Sequence, residues 1–219
     1  MGTDDRYRFG LPISELIQRC RHLGSSCLSE ALVALHLPHQ VLAHDLRPIR
    51  HDLVVAGPAF TLKGFPDRFG DPDLRRRRLR MFTGMRQLEC PVVDVRDCSG
   101  DTQVAHYGEM NAVVGQACGA VGALVVGGCR DTGFLLRMDF PVTCRYLTPV
   151  EAHRRWSYYE WQVPITLRGA SAVAVPVTPG DFILADLDGS LVIPHHAVMA
   201  VLKQADRLRQ ERAASVLAL

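Results

Sequence analysis

The chain has 219 residues, 47% hydrophobic and 22% charged, and a formal net charge of +2. That composition suits a globular protein with a sizeable core and gives no broad footprint for nucleic acid or an anionic membrane surface. No apolar run approaches the roughly 18 residues of a membrane span, and MGTDDRYRFG carries acids rather than the apolar stretch of a secretory leader.

Residues 11–23 have an apolar stripe at 13, 16 and 17 behind Pro12, which predicts a short amphipathic helix. Gly24 stops it, and Ser25 or Ser26 is placed to cap a second helix over residues 27–35. His36, His39, His44 and His51 follow in a loop whose spacing matches no zinc site. Residues 53–62 are β-rich, and Gly57-Pro58 within them suggests a bent or edge strand. Residues 63–73 are polar and turn-rich, a loop suited to cover a site. Arg75 to Arg78, with Arg80 and Arg86, lie opposite an apolar stripe of Leu74, Met81, Phe82, Met85 and Leu88, so they read as the solvated face of a helix.

Residues 91–95 form a strand pattern, and residues 94–101 read as an acidic, turn-forming link. After Asp131, residues 134–138 suit a helical turn and residues 141–144 a short strand. Trp156, Tyr158, Tyr159 and Trp161 cluster in residues 148–161, where aromatic side chains line a pocket, meet a subunit or simply pack. Four strands follow over 163–167, 172–177, 182–185 and 190–193. The last two are joined by Asp186-Leu187-Asp188-Gly189, a hairpin turn with Gly189 expected in the left-handed region. A final amphipathic helix covers 195–214. The chain thus reads as one domain over residues 1–219, with N-terminal helices at 11–35, a core at 50–194 and the C-terminal helix.

Seven cysteines (20, 27, 90, 98, 118, 129 and 144) form no C-x-x-C pair, a pattern expected of reduced thiols in a cytoplasmic protein. Cys129 stands beside Arg130, and a cation lowers a thiol pKa, but burial is the commoner fate of a free cysteine.

The densest chemistry lies in YGEMNAVVGQACGAVGALVVGGCRD, residues 107–131. Gly108 and Glu109 open a helix, Gly115, Gly119 and Gly122 lead through a turn, and residues 123–126 suit a buried strand. Gly127, Gly128 and Cys129 then deliver Arg130 and Asp131 to the strand's carboxyl end, where α/β sheets bind ligands. Helix-start N–H groups suit an anion. Neither a G-x-G-x-x-G fingerprint nor a Walker phosphate loop is present.

Glu109, twenty intervening residues and Arg130-Asp131 resemble the acidic-x20-Arg-Asp signature of the class II pyruvate aldolases. That family includes 4-hydroxy-4-methyl-2-oxoglutarate aldolase and the regulator of ribonuclease E activity A. Gly57-Pro58-Ala59-Phe60-Thr61, the GGCRD ending at Asp131 and PGDFILADLDGSLVIP from Pro179 agree in order, so the resemblance spans roughly residues 25–200. It implies an α/β fold of the layered, swivelling β/β/α type with a β-rich C-terminal third and a C-terminal helix. It also implies a homotrimer or hexamer with sites at subunit interfaces.

The implied activity is cleavage of a 4-hydroxy-2-oxo acid to pyruvate and a carbonyl compound, with oxaloacetate decarboxylation as a side reaction. Asp131 would hold Mg²⁺ or Mn²⁺, and Arg130 would stabilise the developing oxyanion. Glu109 would assist proton transfer, and the backbone of Gly108, Glu109, Met110 and Asn111 would cradle a small 2-oxo acid. Lys63 and Lys203 are the only lysines, which weakens a Schiff-base route. The chain departs from the family pattern at Phe134 and Val126, where polar groups are usual. A protein-binding regulator, or a member recruited to another enolate reaction, are the alternatives.

Overall fold

The computed structural model describes residues 4–70, 72–171 and 173–217, with side chains to residue 215. Residues 1–3, Asp71 in the expected covering loop and Ala172 in an expected strand lie outside the described residues. Helix α1 runs Ile13–Ala34 and joins the two expected helices into one element broken at Gly24, whose φ of 76° and ψ of 165° are not helical. Glycine takes that conformation without a Cβ penalty. Neither serine caps the second half with its side chain as expected. Instead the Ser25 N–H donates to Asp186 Oδ2 at 2.8 Å, and its hydroxyl donates to Oδ1 at 2.7 Å. The capping carboxylate therefore comes from a hairpin 161 residues away, beyond the reach of any local pattern.

The elements that follow are β1 (Arg47–Pro48), β2 (Val55–Pro66), α2 (Leu74–Gln87), β3 (Val92–Asp97), β4 (Ala105–Tyr107), α3 (Glu109–Ala117) and β5 (Ala120–Cys129). Then come α4 (Thr132–Leu135), β6 (Val142–Leu147), β7 (Trp156–Trp161), β8 (Ile165–Arg168), β9 (Ala174–Val177), β10 (Phe182–Ala185) and β11 (Ser190–Ile193). Helix α5, Val198–Leu217, follows a 3-10 turn at His195–Ala197. Among the described residues nine strands form one curled sheet in the order β1-β6-β5-β3-β2-β10-β11, with β4 beside β5 and β7 beside β2; β8 and β9 pair separately.

Strand β2 is central, not an edge. It pairs antiparallel with β10 over Val55 to Pro58 and parallel with β3 from Ala59 onward. The Ala59 N–H donates toward β10, to the Asp181 carbonyl at 2.7 Å. Alternation turns the nitrogen of Pro58 to the other side, where the β3 ladder has not begun, so its missing N–H interrupts nothing. The strand also runs on through Lys63 to Pro66 against β7, so the first part of the expected covering loop is sheet.

Strand alternation separates three cores. Val93 and Val95 of β3 face the inside of the curl with Leu124, Ile183, Val192 and the β8–β9 hairpin. The opposite face holds Phe60, Leu62, Val125 and Trp156 under α2 and α3. Helices α1 and α5 bury Leu16, Leu28, Val198 and Val201 against Phe182 and Leu191, each such side chain contributing about 1.5–3 kcal/mol of apolar burial.

Asp94 and Arg96 share the α2–α3 face and are fully buried. The expected acidic link thus begins as strand. The two form a bidentate pair, Arg96 Nε to Asp94 Oδ1 at 3.0 Å and Nη2 to Oδ2 at 2.7 Å, and mutual neutralisation is what lets both charges leave water. The hairpin at residues 186–189 forms as expected but not through a left-handed Gly189, which has no positive φ. The Asp186 carboxylate holds it by accepting from the N–H groups of Asp188 and Gly189. No described helix is long and apolar enough to cross a membrane, and the seven cysteines are free.

Candidate active site

Strand β5 ends beside β4, and the Arg130 N–H donates to the Tyr107 carbonyl at 3.0 Å. That single bond sets the Arg130-Asp131 pair against the start of α3. Asp131 occupies the left-handed region, φ 56° and ψ 34°, and precedes α4 without capping it through its side chain. Its carboxylate instead crosses to α3, where Oδ2 accepts the Glu109 N–H at 3.2 Å. A non-glycine residue held in that region costs about 1–3 kcal/mol and points to a functional constraint.

Gly108 has an extended φ of −177°, so backbone strain does not explain it. Space does: a Cβ there would sit 2.5 Å from Asp131 Oδ2 and 3.1 Å from Arg130 Cγ. The Arg130 guanidinium bridges two acids, with Nε 3.6 Å from Asp131 Oδ2 and Nη2 3.8 Å from Glu151 Oε1. These groups open on a cavity of about 460 Å³, within the usual range for small-molecule sites.

Of the residues expected from sequence, Gly108, Met110, Asn111, Arg130 and Asp131 all line this cavity. Glu109 is brought to Asp131 through its backbone, but its side chain is not part of the wall. Trp156 and Tyr158 line the cavity and at the same time pack in the core beneath it, so two of the roles open to that cluster apply to them. Tyr159 instead lies beside Phe65, with ring centroids 5.4 Å apart. Among the described residues of the expected covering loop, Pro72 alone lines the cavity. Phe134 and Val126 do not line it, so the two departures from the family pattern stand away from its surface. Burial pushes the Cys129 thiol well above its ordinary range, leaving it a core residue.

Four features of the site were not read from the sequence. Arg75 and Arg78, expected on a solvated face, line the cavity with Glu151 and His106. The Arg78 guanidinium carbon lies 5.9 Å from the Phe82 ring centroid. A hydrophobic stripe locates a helix's core face, but it does not say that a neighbouring face borders a cavity.

His106 accepts the Gly128 N–H at Nδ1, 3.0 Å away, so the neutral ring carries its proton on Nε2. That nitrogen lies 3.2 Å from Asp101 Oδ2, off the line of a hydrogen bond. Burial lowers the His106 pKa to about 4, against the opposing pull of Asp101. Beneath the cavity Arg96 donates to Tyr158 Oη and to the His106 carbonyl, and stacks 4.5 Å from the Tyr107 ring centroid. Tyr158 Oη in turn reaches Asn111 Oδ1 at 3.5 Å, a chain that turns the Asn111 amide nitrogen from the phenol.

Among the described residues no group of three or more His, Cys, Asp or Glu side chains is placed to hold a metal. The set does fit a hard cation that needs one protein carboxylate and completes its shell with substrate and water, as Mg²⁺ does. Asp131 Oδ2 is engaged by Glu109 and Arg130, while Oδ1 has no hydrogen bond among the described residues.

Comparison with known proteins shows the family and the fold. A chain from Halalkalibacterium halodurans described as "Putative 4-hydroxy-4-methyl-2-oxoglutarate aldolase" is 31% identical over 206 residues, covering 92% of this chain and 89% of that one. A crystal structure described as novel cellulases from microbes associated with the gut ecosystem matches with a TM-score of 0.85 at 27% identity, over 94% of this chain and 89% of that chain. Streptomyces coelicolor RraAS2, described as an unusual member of the RNase ES inhibitor RraA family, shares the fold with a TM-score of 0.76 at 22% identity, over 95% and 98% of the two chains. The RraA-like family model, Aldolase/RraA, matches residues 25–192, and this chain belongs to that family.

Proposed function

We propose that the protein is a divalent-metal-dependent carbon–carbon lyase that releases pyruvate from a 4-hydroxy-2-oxo acid. The observation that carries this reading is Asp131, held left-handed with its carboxylate turned across to the start of α3 and Arg130 beside it over an open cavity. A family relative described as an aldolase supports the same chemistry. A divalent cation, Mg²⁺ or Mn²⁺, when bound at Asp131 supplies Lewis-acid polarisation of the substrate's 2-oxo group.

The chain's own groups do the rest. At the start of α3 the Glu109 N–H is taken by Asp131 and the Asn111 N–H by the Gly108 carbonyl, which leaves the Met110 N–H to receive the substrate carboxylate. As the C3–C4 bond breaks, C4 becomes a carbonyl and the electron pair delocalises onto C3 and the 2-oxygen. Arg130 stabilises that oxygen. The 4-hydroxyl proton leaves to a base, and the enolate is protonated at C3 to give pyruvate. Glu151, in the wall near Arg130, is the carboxylate within the site that is proposed to transfer the 4-hydroxyl proton, while Glu109 contributes its backbone N–H to Asp131 and would need to turn its side chain into the cavity to share the role. Trp156 and Tyr158 keep bulk water from one side. Oxaloacetate, which loses CO₂ to the same enolate, is a second expected substrate.

The test is pyruvate release from 4-hydroxy-4-methyl-2-oxoglutarate and from oxaloacetate, with Mg²⁺ or with chelator, for wild type and Asp131→Ala. Metal-dependent turnover that falls at least about 10²-fold in the variant supports the lyase. Turnover that survives both chelator and variant overturns the assignment of Asp131. A folded wild type that turns over neither substrate favours a protein-binding regulator or a changed substrate.

A further inference from the structure

Asp94 and Arg96 lie fully buried beneath the cavity, and the lyase chemistry uses neither. A buried ion pair is often no more stable than apolar side chains of the same size, so its worth here lies in what it holds. Two of the Arg96 nitrogens, Nε and Nη2, are taken by Asp94. The third, Nη1, donates to the His106 carbonyl at 3.0 Å and to Tyr158 Oη.

A guanidinium only donates, so the phenol oxygen must accept from it. The Tyr158 proton therefore turns away from Arg96 toward the next acceptor, Asn111 Oδ1 at 3.5 Å. Hydrogen bonds of this length in a site commonly shorten around a bound ligand. With Oδ1 committed to the phenol, the donor end of the amide, Nδ2, is left to the cavity that Asn111 lines. It has no acceptor among the described residues. Met110 precedes it at the same helix start and lines the same cavity. Two donors from consecutive residues, the Met110 N–H and the Asn111 amide, are thus open together.

We propose that the Asn111 side chain is a substrate-binding group whose amide donates to the ligand carboxylate beside the Met110 N–H. Tyr158 is the positioning residue that, with Arg96 behind it, fixes which end of the amide faces the ligand. The identity of the ligand rests on the lyase reading. The direction of the amide rests on the Arg96 chain alone and can be measured without turnover.

The test is calorimetric titration of the full-length protein with oxalate, in Mg²⁺ and in chelator, for wild type, Asn111→Leu, Tyr158→Phe and the double variant. Asn111→Leu keeps the volume and removes the amide. Tyr158→Phe deletes one hydroxyl and keeps the ring 5.1 Å from the Arg96 guanidinium carbon. Asn111→Leu is expected to weaken oxalate about tenfold, the loss of one hydrogen bond to a charged group. Tyr158→Phe should weaken it about threefold, because the amide is then free to turn its oxygen to the ligand. In the double variant the Tyr158 change should add nothing to the Asn111 loss. A hydroxyl that merely supports the wall would cost the same in either background. Mn²⁺ affinity measured without oxalate should be unchanged in all four proteins, which verifies that the Asp131 end is intact.

Wild type that binds no oxalate, an Asn111→Leu loss under about twofold, or equal effects of Tyr158→Phe in the two backgrounds would each overturn the assignment. Oxalate binding that persists in chelator, with the same non-additivity, would instead sink the metal-dependent lyase and leave Asn111 standing.

Discussion

Gly108 shows how little room the site leaves. A methyl group there meets the Asp131 carboxylate and the Arg130 stem together, so Gly108→Ala should displace both without touching the core. Pyruvate release is expected to drop about 10²-fold, as misplacement near 1 Å does elsewhere, with the thermal midpoint nearly unchanged. Equal losses of activity and stability would sink this account.

His106 makes a different prediction, about pH. Its folded pKa of about 4 lies below the ordinary value of 6.5, because burial disfavours the charged ring. The unfolded chain therefore takes up the proton first as pH falls. Stability is fully present above about pH 6.5 and is lost between there and about pH 4, on the order of 3 kcal/mol from this group. Denaturant titrations at pH 7 and pH 4.5 should show that loss, and His106→Gln should flatten it. A slope identical in the variant would assign the acid sensitivity elsewhere.

At this scale the sequence was legible where chemistry follows spacing. Arg130, Asp131 and Gly108 lie where a helix start and a strand end had to meet. His106, Glu151 and the Arg96 chain were not legible, because each depends on which strands pair, and residue types alone do not encode that. Buried charge is a second blind spot. Asp94 and Arg96 read as part of an acidic, turn-forming link until their pairing across one strand face is seen.

Among elements, α1 is the clearest case of tertiary structure completing a local signal. Gly24 correctly marked a break, but the cap was sought among adjacent serines when it sits on the β10–β11 turn. Asp186→Ala removes the acceptor for the Ser25 N–H and hydroxyl and for the turn's own N–H groups. The expected cost is about 1–2 kcal/mol, with faster amide exchange around residues 25–28. A destabilisation without local exchange change would place the effect in the hairpin alone. Helix α2 was recognised as a helix with the correct core stripe and an exposed arginine face, but that Arg75 and Arg78 of that face border the cavity was not. Strand β2 was recognised too, but of the two readings of Gly57-Pro58, a bend or an edge, the edge does not hold. The argument fails because a proline is tolerated wherever its nitrogen faces an unpaired stretch, inside a sheet or not.

Across the whole molecule, the mixed α/β fold and its β-rich last third followed from periodicity and resemblance. The curl of the sheet around the β8–β9 hairpin did not, since strand order is invisible to a single-chain pattern. Assembly is the property at this scale left to experiment. Met110 is 63% exposed and Val113 43% on α3, with Leu136 at 48% just after Asp131 in the chain and Leu147 at 56% in a surface hollow shared with Asp131. Exposed apolar side chains around a site suit a protein interface, and the family resemblance implies a trimer or hexamer. Light scattering at micromolar concentration should give a mass of three or six chains, and Met110→Asp should reduce it. A monomeric wild type would remove the case for sites shared between subunits.

The bond between Ser25 and Asp186 also bears on how the chain is made. Helix α1 leaves the ribosome before the sheet it packs on, while the carboxylate that completes its kink lies 161 residues later. At ordinary elongation rates that gap lasts roughly 8 to 30 s. Throughout it, the apolar face of α1 and the Val55–Pro58 flank of β2 wait for β10 and β11 to be synthesised. A nascent chain halted before residue 182 should therefore expose both to chaperones and proteases, and synthesis through β10 and β11 should close them together, in one cooperative step.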